Sequence, residues 1–389
     1  MLQKHRNSLT TSALFVFCGV IFILGFHVGG LQLALLLAVR ELNLYGAIVG
    51  LPVTVQFIAL SITPLIFGPV SDRFGKKKII AVFMVIFVLG SITTYFSGGI
   101  LLFLVGIFII GAGYSVCECS ITAAIADLVG EDSEKSEKYI NFSQSFFCAG
   151  AAVSPLILHM LMSNFYMPWR ISFLICAIAM AVLIPTFLAL YPSAIVEAQS
   201  VKEVDGSKKQ VRKPLVLIGF IICMFIYSGV ESGVAYFADM VLSIQLNSPH
   251  LGAYAIFLFW TAMGLGRFFF GRKKTIPPYA TAASLLLTAM VLVAIALNQS
   301  EIVMLALFAV VGFTCACVWP GIVNLAVSTN KSATGTIMSY MNLGGGLGGA
   351  VFPFAMGVIM DVAGVPIAFF GLAVLAALAS AMIYKFIQI

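Results

Sequence analysis

The sequence predicts an all-α membrane protein, twelve transmembrane helices in two pseudo-symmetric six-helix bundles, on three observations. Of 389 residues, 61% are hydrophobic and 9% charged, where soluble domains carry about 25% charged residues, and the mean hydropathy is +1.09. The apolar residues gather in twelve runs of bilayer length. The two halves of the chain also echo one another at a fixed offset. Such apolar content rules out a disordered chain, and a soluble domain of this composition would expose large greasy patches.

A span needs roughly 20 apolar residues. In order, the runs cover 12–39, 46–68, 79–97, 100–128, 139–162, 170–191, 214–243, 251–270, 276–297, 302–327, 332–360 and 366–384. The first follows MLQKHR and is too long for a cleaved signal, so it reads as an uncleaved helix. The third and fourth are parted by Ser97-Gly98-Gly99, the ninth and tenth by residues 298–301. The polar stretch 192–213 reads as a cytoplasmic linker between an N-terminal bundle, 1–191, and a C-terminal bundle, 214–389.

Lysine and arginine set the orientation. With the N-terminus inside, nineteen fall on the inner side, Arg267 among them, and only Arg40 and Arg170 on the outer. This is the positive-inside pattern. It predicts cytoplasmic termini and a plasma-membrane location, and it accounts for a net charge of +6 without a nucleic-acid partner. The eight cysteines lie in apolar runs with no metal-ligand spacing; they read as small packing residues.

The internal echo is specific. GPVSDRFGKKK at 68–78 pairs with GLGRFFFGRKK at 264–274, GAAVSP at 150–155 with GGAVFP at 348–353, and CEC at 117–119 with CAC at 315–317. Such repeats are expected of a secondary transporter with its site at the midplane. Glu118 in the first half stands where the second has Ala316, so packing alone does not require the acid.

The stretch 68–78 resembles the loop signature of the major facilitator superfamily, Gly-x-x-x-Asp-Arg-x-Gly-basic-basic, and the resemblance covers the whole chain. Asn141, Gln144, Phe146 and Gly150 in the fifth span, Glu118 preceded by Gly111 and Gly113 in the fourth, and Glu231 in the seventh are similar to the branch of sugar–proton symporters that includes fucose permease. That resemblance implies a non-enzymatic, proton-coupled symporter for a sugar or polyol. It implies protons as the coupling ion, with sodium the alternative, the bilayer as setting, no cofactor, no metal, and a functional monomer. Two positions depart from the branch: Gln32, which cannot ionise, stands at its helix-one carboxylate, and Thr122 stands one turn after the helix-four acid.

Each candidate residue has a chemical reason. Glu118 sits amid apolar residues, and intramembrane acids mark pathways; low dielectric favours a carboxyl's neutral form until water or a cation arrives. Gly111, Ser115, Glu118 and Thr122 form one small, polar helical stripe, expected to face a cavity. His27 is a partner for proton sharing with Glu118. Gln32 aligns with Gly25 and Gly29 in a second stripe suited to a cavity. Gln144 and Asn141 offer donor and acceptor to hydroxyls. Glu231 is a second titrating group or hydroxyl acceptor, while Asp239 is expected in a solvated outer vestibule. Trp260 and Trp319 offer an aromatic wall, and Asn324 and Asn342 add polar contacts. Asp72 and Arg73, between Gly68 and Gly75, read as a cytoplasmic latch capping the N-terminus of the eleventh span near 332–335. GGGLGG at 344–349 reads as a close helix contact, and residues 131–138 as a solvated turn. An exporter, a uniporter without ion coupling and a non-transporting sensor are the rival readings. Ser154-Pro155 in place of a Gly-Pro pair speaks against the exporter, and the largest loop, of about twenty residues, leaves a sensor no soluble domain.

Overall fold

A computed structural model describes residues 2–44, 49–129, 133–191, 214–271, 277–329 and 334–387. In a bilayer the backbone must satisfy its own hydrogen bonds, and apolar runs of this length do so as helices. These are α1 (Leu2–Glu41), α2 (Leu51–Phe74), α3 (Lys76–Tyr95), α4 (Ile100–Val129), α5 (Ser133–Phe165), α6 (Ile171–Leu190), α7 (Pro214–Met240), α8 (Gly252–Gly271), α9 (Pro278–Leu297), α10 (Glu301–Cys315), α11 (Val318–Thr329), α12 (Thr334–Ala363) and α13 (Val365–Ile387). Eleven stretches among the described residues are long and apolar enough to cross a membrane, and Leu51–Phe67 of α2 is a shorter apolar one.

Three expectations change. The tenth span is not one helix: α10 and α11 part at Ala316–Cys317. Pro320 lacks the N–H that would bond the Ala316 carbonyl, and its ring crowds that turn. The carbonyl of Cys315, beside the break, accepts instead from the Tyr227 hydroxyl at 2.9 Å. Second, α5 begins at Ser133, so most of 131–138 is helix rather than turn; the sequence supports this by setting Glu134 four residues before Lys138. Third, the seventh span runs on past α7 as a π-helical turn, Val241–Gln245.

Within the first half α1 packs on α5 and α6, and α4 on α2 and α3; within the second, α7 packs on α12, α9 on α13 and α8 on α10. Glycines set these distances. Methyl groups added to Gly25 and Gly29 would overlap the carbonyl oxygens of Phe147 and Ala151, and one on Gly150 that of Phe22. The glycine stripe of α1 is therefore the seat of α5, not a cavity wall, because only a missing Cβ lets two backbones approach so closely. GGGLGG works the same way within a continuous helix: Gly344 and Gly348 meet α7 at Ile221 and Phe225, while Gly346 and Gly349 meet α2 at Ser61 and Phe57.

The halves meet along two seams, α2 on α12 and α5 on α8, with α1 also touching α7 and α8. Along the first, Thr54 Oγ1 donates to the Ala350 carbonyl at 2.7 Å, and Gly50 lies against Pro353. Along the second, His159 and Tyr254 face one another with ring centroids 6.1 Å apart. These contacts belong to the end of the molecule opposite the termini, where α1 stops and α2 starts; that end is closed. There Glu41 accepts from Trp169 Nε1 and Arg170 Nη1, both at 2.6 Å, which pins the end of α1 to the α5–α6 connection.

At the other end Lys76 pairs with Asp127 between α3 and α4. Gly75, between α2 and α3, takes φ of 89°, a region that favours glycine. The side chains of 68–73, residues 330–333 and the stretch 192–213 lie outside what is described. The latch of Asp72 and Arg73, with Gly68, and the linker therefore fall outside it too.

Gly29→Leu is expected to separate α1 from α5 and lower stability in detergent by ~2 kcal/mol or more. Gly371→Ala, where nothing lies within 4 Å of an added methyl, is expected to leave the thermal midpoint unchanged. Differential scanning fluorimetry of the two variants checks this.

Candidate functional site

Four helices bring polar groups to the divide between the halves. Glu118 lies on α4, about eleven residues from its end, and is half-buried. Its Oε1 faces Gln144 Nε2 of α5 at 3.5 Å, the long limit of a hydrogen bond. One turn beyond Gln144 on α5 is Cys148, whose Sγ accepts from Arg267 Nη1 of α8 at 3.6 Å. Arg267 Nη2 lies 4.0 Å from Glu231 Oε1 of α7, and Glu118 is within its electrostatic reach. Tyr227, one turn before Glu231, donates its hydroxyl proton to the Cys315 carbonyl at the α10–α11 break. Two carboxyls and one guanidinium thus converge from both halves.

The close approach of α5 and α8 has a local cause. A methyl on Gly264 would sit 3.1 Å from the Cys148 Cβ, so a glycine one turn before Arg267 lets the guanidinium reach α5. Arg267 is accordingly not the loop residue that the charge count made it. It lies in α8, with 22% of its side chain exposed, and eighteen rather than nineteen basic residues remain to set the orientation. The signal for it was present: the same rule that singles out an acid inside an apolar run applies to an arginine inside 251–270.

A second polar group sits beside the first. Trp260 Nε1 of α8 donates to Gln32 Oε1 of α1 at 2.8 Å, while Gln32 Nε2 is buried without a partner. The Trp260 ring meets Phe147 edge-on, centroids 5.5 Å apart. Trp260 and Gln32 therefore join the halves directly. A third group runs from α1 through α2 to α7. Gln56 Nε2 lies 3.2 Å from His27 Nε2, and Tyr236 donates to Gln56 Oε1 at 3.4 Å. His27 is fully buried, with its ring against Phe87 and Phe173. The structure thus couples His27 to Gln56 rather than directly to Glu118. Gln56, Tyr236, Tyr227 and Cys148 carry no sequence signal of their own; only the fold brings them to these positions.

The remaining expected residues divide. Ser115 is buried and bonds the Ala112 carbonyl of its own helix at 3.2 Å, and Gly111 packs on Ala59 and Gln56 of α2. The upper part of that stripe is therefore closed, and only Glu118 and Thr122 remain partly open. Asn141, on the face of Gln144, and Trp319 are half-buried, and Asn324 and Asn342 are exposed; among the described residues none of these four is hydrogen-bonded to the charged cluster. Asp239 is not in a solvated vestibule: it is 5% exposed. Ser243 donates to its Oδ1 at 3.3 Å, and the carboxylate lies over Gly252 at the N-terminus of α8, where a helix dipole favours negative charge.

The arrangement can hold and release a proton at a carboxyl, orient a polar solute through amide, hydroxyl and guanidinium donors, and change its contacts as the halves move. Among the described residues no group of three or more His, Cys, Asp or Glu is placed to hold a metal ion.

Comparisons with known proteins agree with this architecture. The family model described as Major Facilitator Superfamily matches residues 15–279. A D-xylose transporter of Levilactobacillus brevis is 26% identical over 152 residues, 39% of this chain and 32% of that protein. The chain thus matches about a third of that relative's length. Two solved structures superpose over nearly all of both chains. The human organic anion transporter MFSD10 has a TM-score of 0.72 at 16% identity, covering 97% of this chain and 99% of that one. The fucose:proton symporter FucP of E. coli has 0.65 at 18%, covering 96% and 97%. At such identities the likeness is one of fold.

Trp260→Phe is expected to cost ~1–2 kcal/mol in detergent, since it strips Gln32 of its one hydrogen-bond partner among the described residues. Adding Gln32→Leu is expected to recover part of that loss, because an apolar pair leaves nothing unsatisfied. Thermal midpoints of the two single variants and the double variant check both.

Proposed function

The chain belongs to the Major Facilitator Superfamily, and from that membership we propose that it is a secondary active transporter moving a small polar solute, a sugar or polyol in type, together with protons by alternating access. The observation that carries this reading is the convergence of Glu118, Gln144, Glu231 and Arg267 from both halves onto one divide. The divide is closed at the end away from the termini by α2–α12 contacts. The names of the D-xylose transporter and the fucose:proton symporter support a sugar-like cargo.

In the proposed cycle Glu118 takes a proton from the outer side, solute binds beside Gln144 and Glu231, the halves rock, and Glu118 releases its proton inside. The charge pattern supports cytoplasmic termini in the plasma membrane, so the closed end faces outward and the state described is one shut to the outside. A monomer is sufficient, because every named group lies on one chain. The Asp72–Arg73 stretch is the proposed latch at the inner end. His27, through Gln56 and Tyr236, links the outer seam to the middle of α1, where it senses closure rather than carrying the coupled proton itself. A membrane potential of about 100 mV supplies about 2.3 kcal/mol per charge moved, enough for roughly 40-fold accumulation.

Counterflow of labelled sugars in proteoliposomes, with and without an imposed pH gradient, tests the reading. Uptake of at least one neutral or acidic sugar that rises with an inward proton gradient is expected. Extrusion of cationic dyes with no such uptake contradicts it. Glu118→Gln is expected to abolish gradient-driven accumulation at least tenfold while solute exchange persists; a uniporter would lose neither. A cysteine pair at Thr54 and Ala350 is expected to lock the outer seam when oxidised, stopping transport until a reductant is added, as a transport assay before and after reduction shows.

A further inference from the structure

Arg267 is under-used by the protein around it. An arginine presents five N–H donors in a rigid fork. Among the described residues only one of them makes a hydrogen bond, to the soft Cys148 sulfur at 3.6 Å. The Glu231 carboxylate is 4.0 Å away, near enough for attraction but beyond the 2.7–3.2 Å of a hydrogen bond. A guanidinium held this loosely between two helical halves, with 22% of its side chain exposed, has donors left for a further acceptor. Sugar hydroxyls accept singly and without charge. A carboxylate accepts two parallel bonds from the fork and balances its charge, which is the match for which arginine is used.

The charges around it set the conditions. With Glu118 and Glu231 both ionised and Arg267 cationic, the cluster carries one net negative charge and repels an anion. A proton on either carboxyl brings it to neutral, and a proton on both makes it positive. Anion and proton therefore favour one another in this site, with no group beyond these three.

On the reading of the charged cluster as the solute site, we propose that the cargo is a small hydroxylated monocarboxylate, of the sugar-acid or hydroxy-acid class, with its carboxylate on Arg267. The incoming carboxylate takes the guanidinium from Glu231, and the displaced Glu231 carboxyl takes up a proton from the entry side. Gln144 faces the hydroxyls, and the Trp260–Phe147 pair walls the apolar edge of the carbon chain.

The test uses the full chain in proteoliposomes under an inward proton gradient, with labelled D-glucuronate, D-gluconate and L-lactate beside neutral D-glucose, L-fucose and xylitol. At least one acid is expected to be taken up at least tenfold faster than any neutral solute. Arg267→Gln is expected to abolish that uptake, and Arg267→Lys, which keeps the charge but not the fork, to raise the half-saturation concentration at least tenfold. Glu231→Gln removes the competing carboxylate. It is expected to bind the acid at least threefold more tightly in thermal-shift titration, a change that a merely structural role for the pair does not produce. Each variant is compared at equal amounts of monodisperse protein. Should Arg267→Gln not fold, Arg267→Lys and Glu231→Gln carry the test. Uptake confined to neutral sugars, or acid uptake indifferent to Arg267→Lys and Glu231→Gln, overturns the anionic cargo while leaving proton-coupled transport standing. Proton-independent uptake of every solute sinks the coupling mechanism instead. If no acid in the panel is transported or shifts the thermal midpoint, the inference is wrong.

Discussion

Charge inside a low-dielectric divide is the constraint on which the rest of this molecule depends. Placing an acid or an arginine at the centre of a membrane helix costs about 2.5–3.5 kcal/mol on insertion scales. The chain places Arg267 beside Glu231 and within electrostatic reach of Glu118, so that the guanidinium and each carboxylate offset part of one another's cost. None of the three is held in a short ion pair. A tightly bonded pair would be stable but inert; a loose triad between two halves is free to change partner. The long Gln144–Glu118 and Arg267–Glu231 distances are thus the physical basis of the proposed coupling.

The glycines provide the rigidity against which this looseness operates. Gly25 and Gly29 seat α1 on α5, and Gly348 seats α12 on α7, so each half is a tight body with little room to deform. Gly346 and Gly349 let the same helix touch α2 across the divide. One helix therefore bears on its own half through one set of glycines and on the other half through another. In the proposed alternating access, rocking would change the second set of contacts and spare the first. The α10–α11 break contributes differently: the Cys315 carbonyl beside it holds Tyr227, one turn before Glu231 on α7.

Much of this was legible in the sequence. Span number and order follow from apolar runs of bilayer length, and Glu118 stands out because it is an acid among apolar residues with an alanine at its repeat partner. Trp260 and Gln32 were each named, but their bond spans 228 residues, and no local pattern encodes a pairing between distant helices. Arg267 is masked in the sequence by the basic run that follows at 272–274, because a charge count by loop absorbs a residue three or four positions inside a helix. The stripes of Gly25, Gly29 and Gly111 are ambiguous in sequence because small residues suit both cavities and close packing; only the neighbouring backbone decides between the two. For Asp239, nothing local in the sequence shows that the N-terminus of α8 folds back over it and takes it out of solvent.

The most direct measurement concerns the Glu118 carboxyl itself. Infrared difference spectra of reconstituted protein, with Glu118→Gln as reference, isolate its C=O stretching band. The account predicts that this band appears and disappears with pH, and that its titration moves when the transported solute is added. A Glu118 band unmoved by both pH and solute would contradict the claim that this side chain carries the coupled proton.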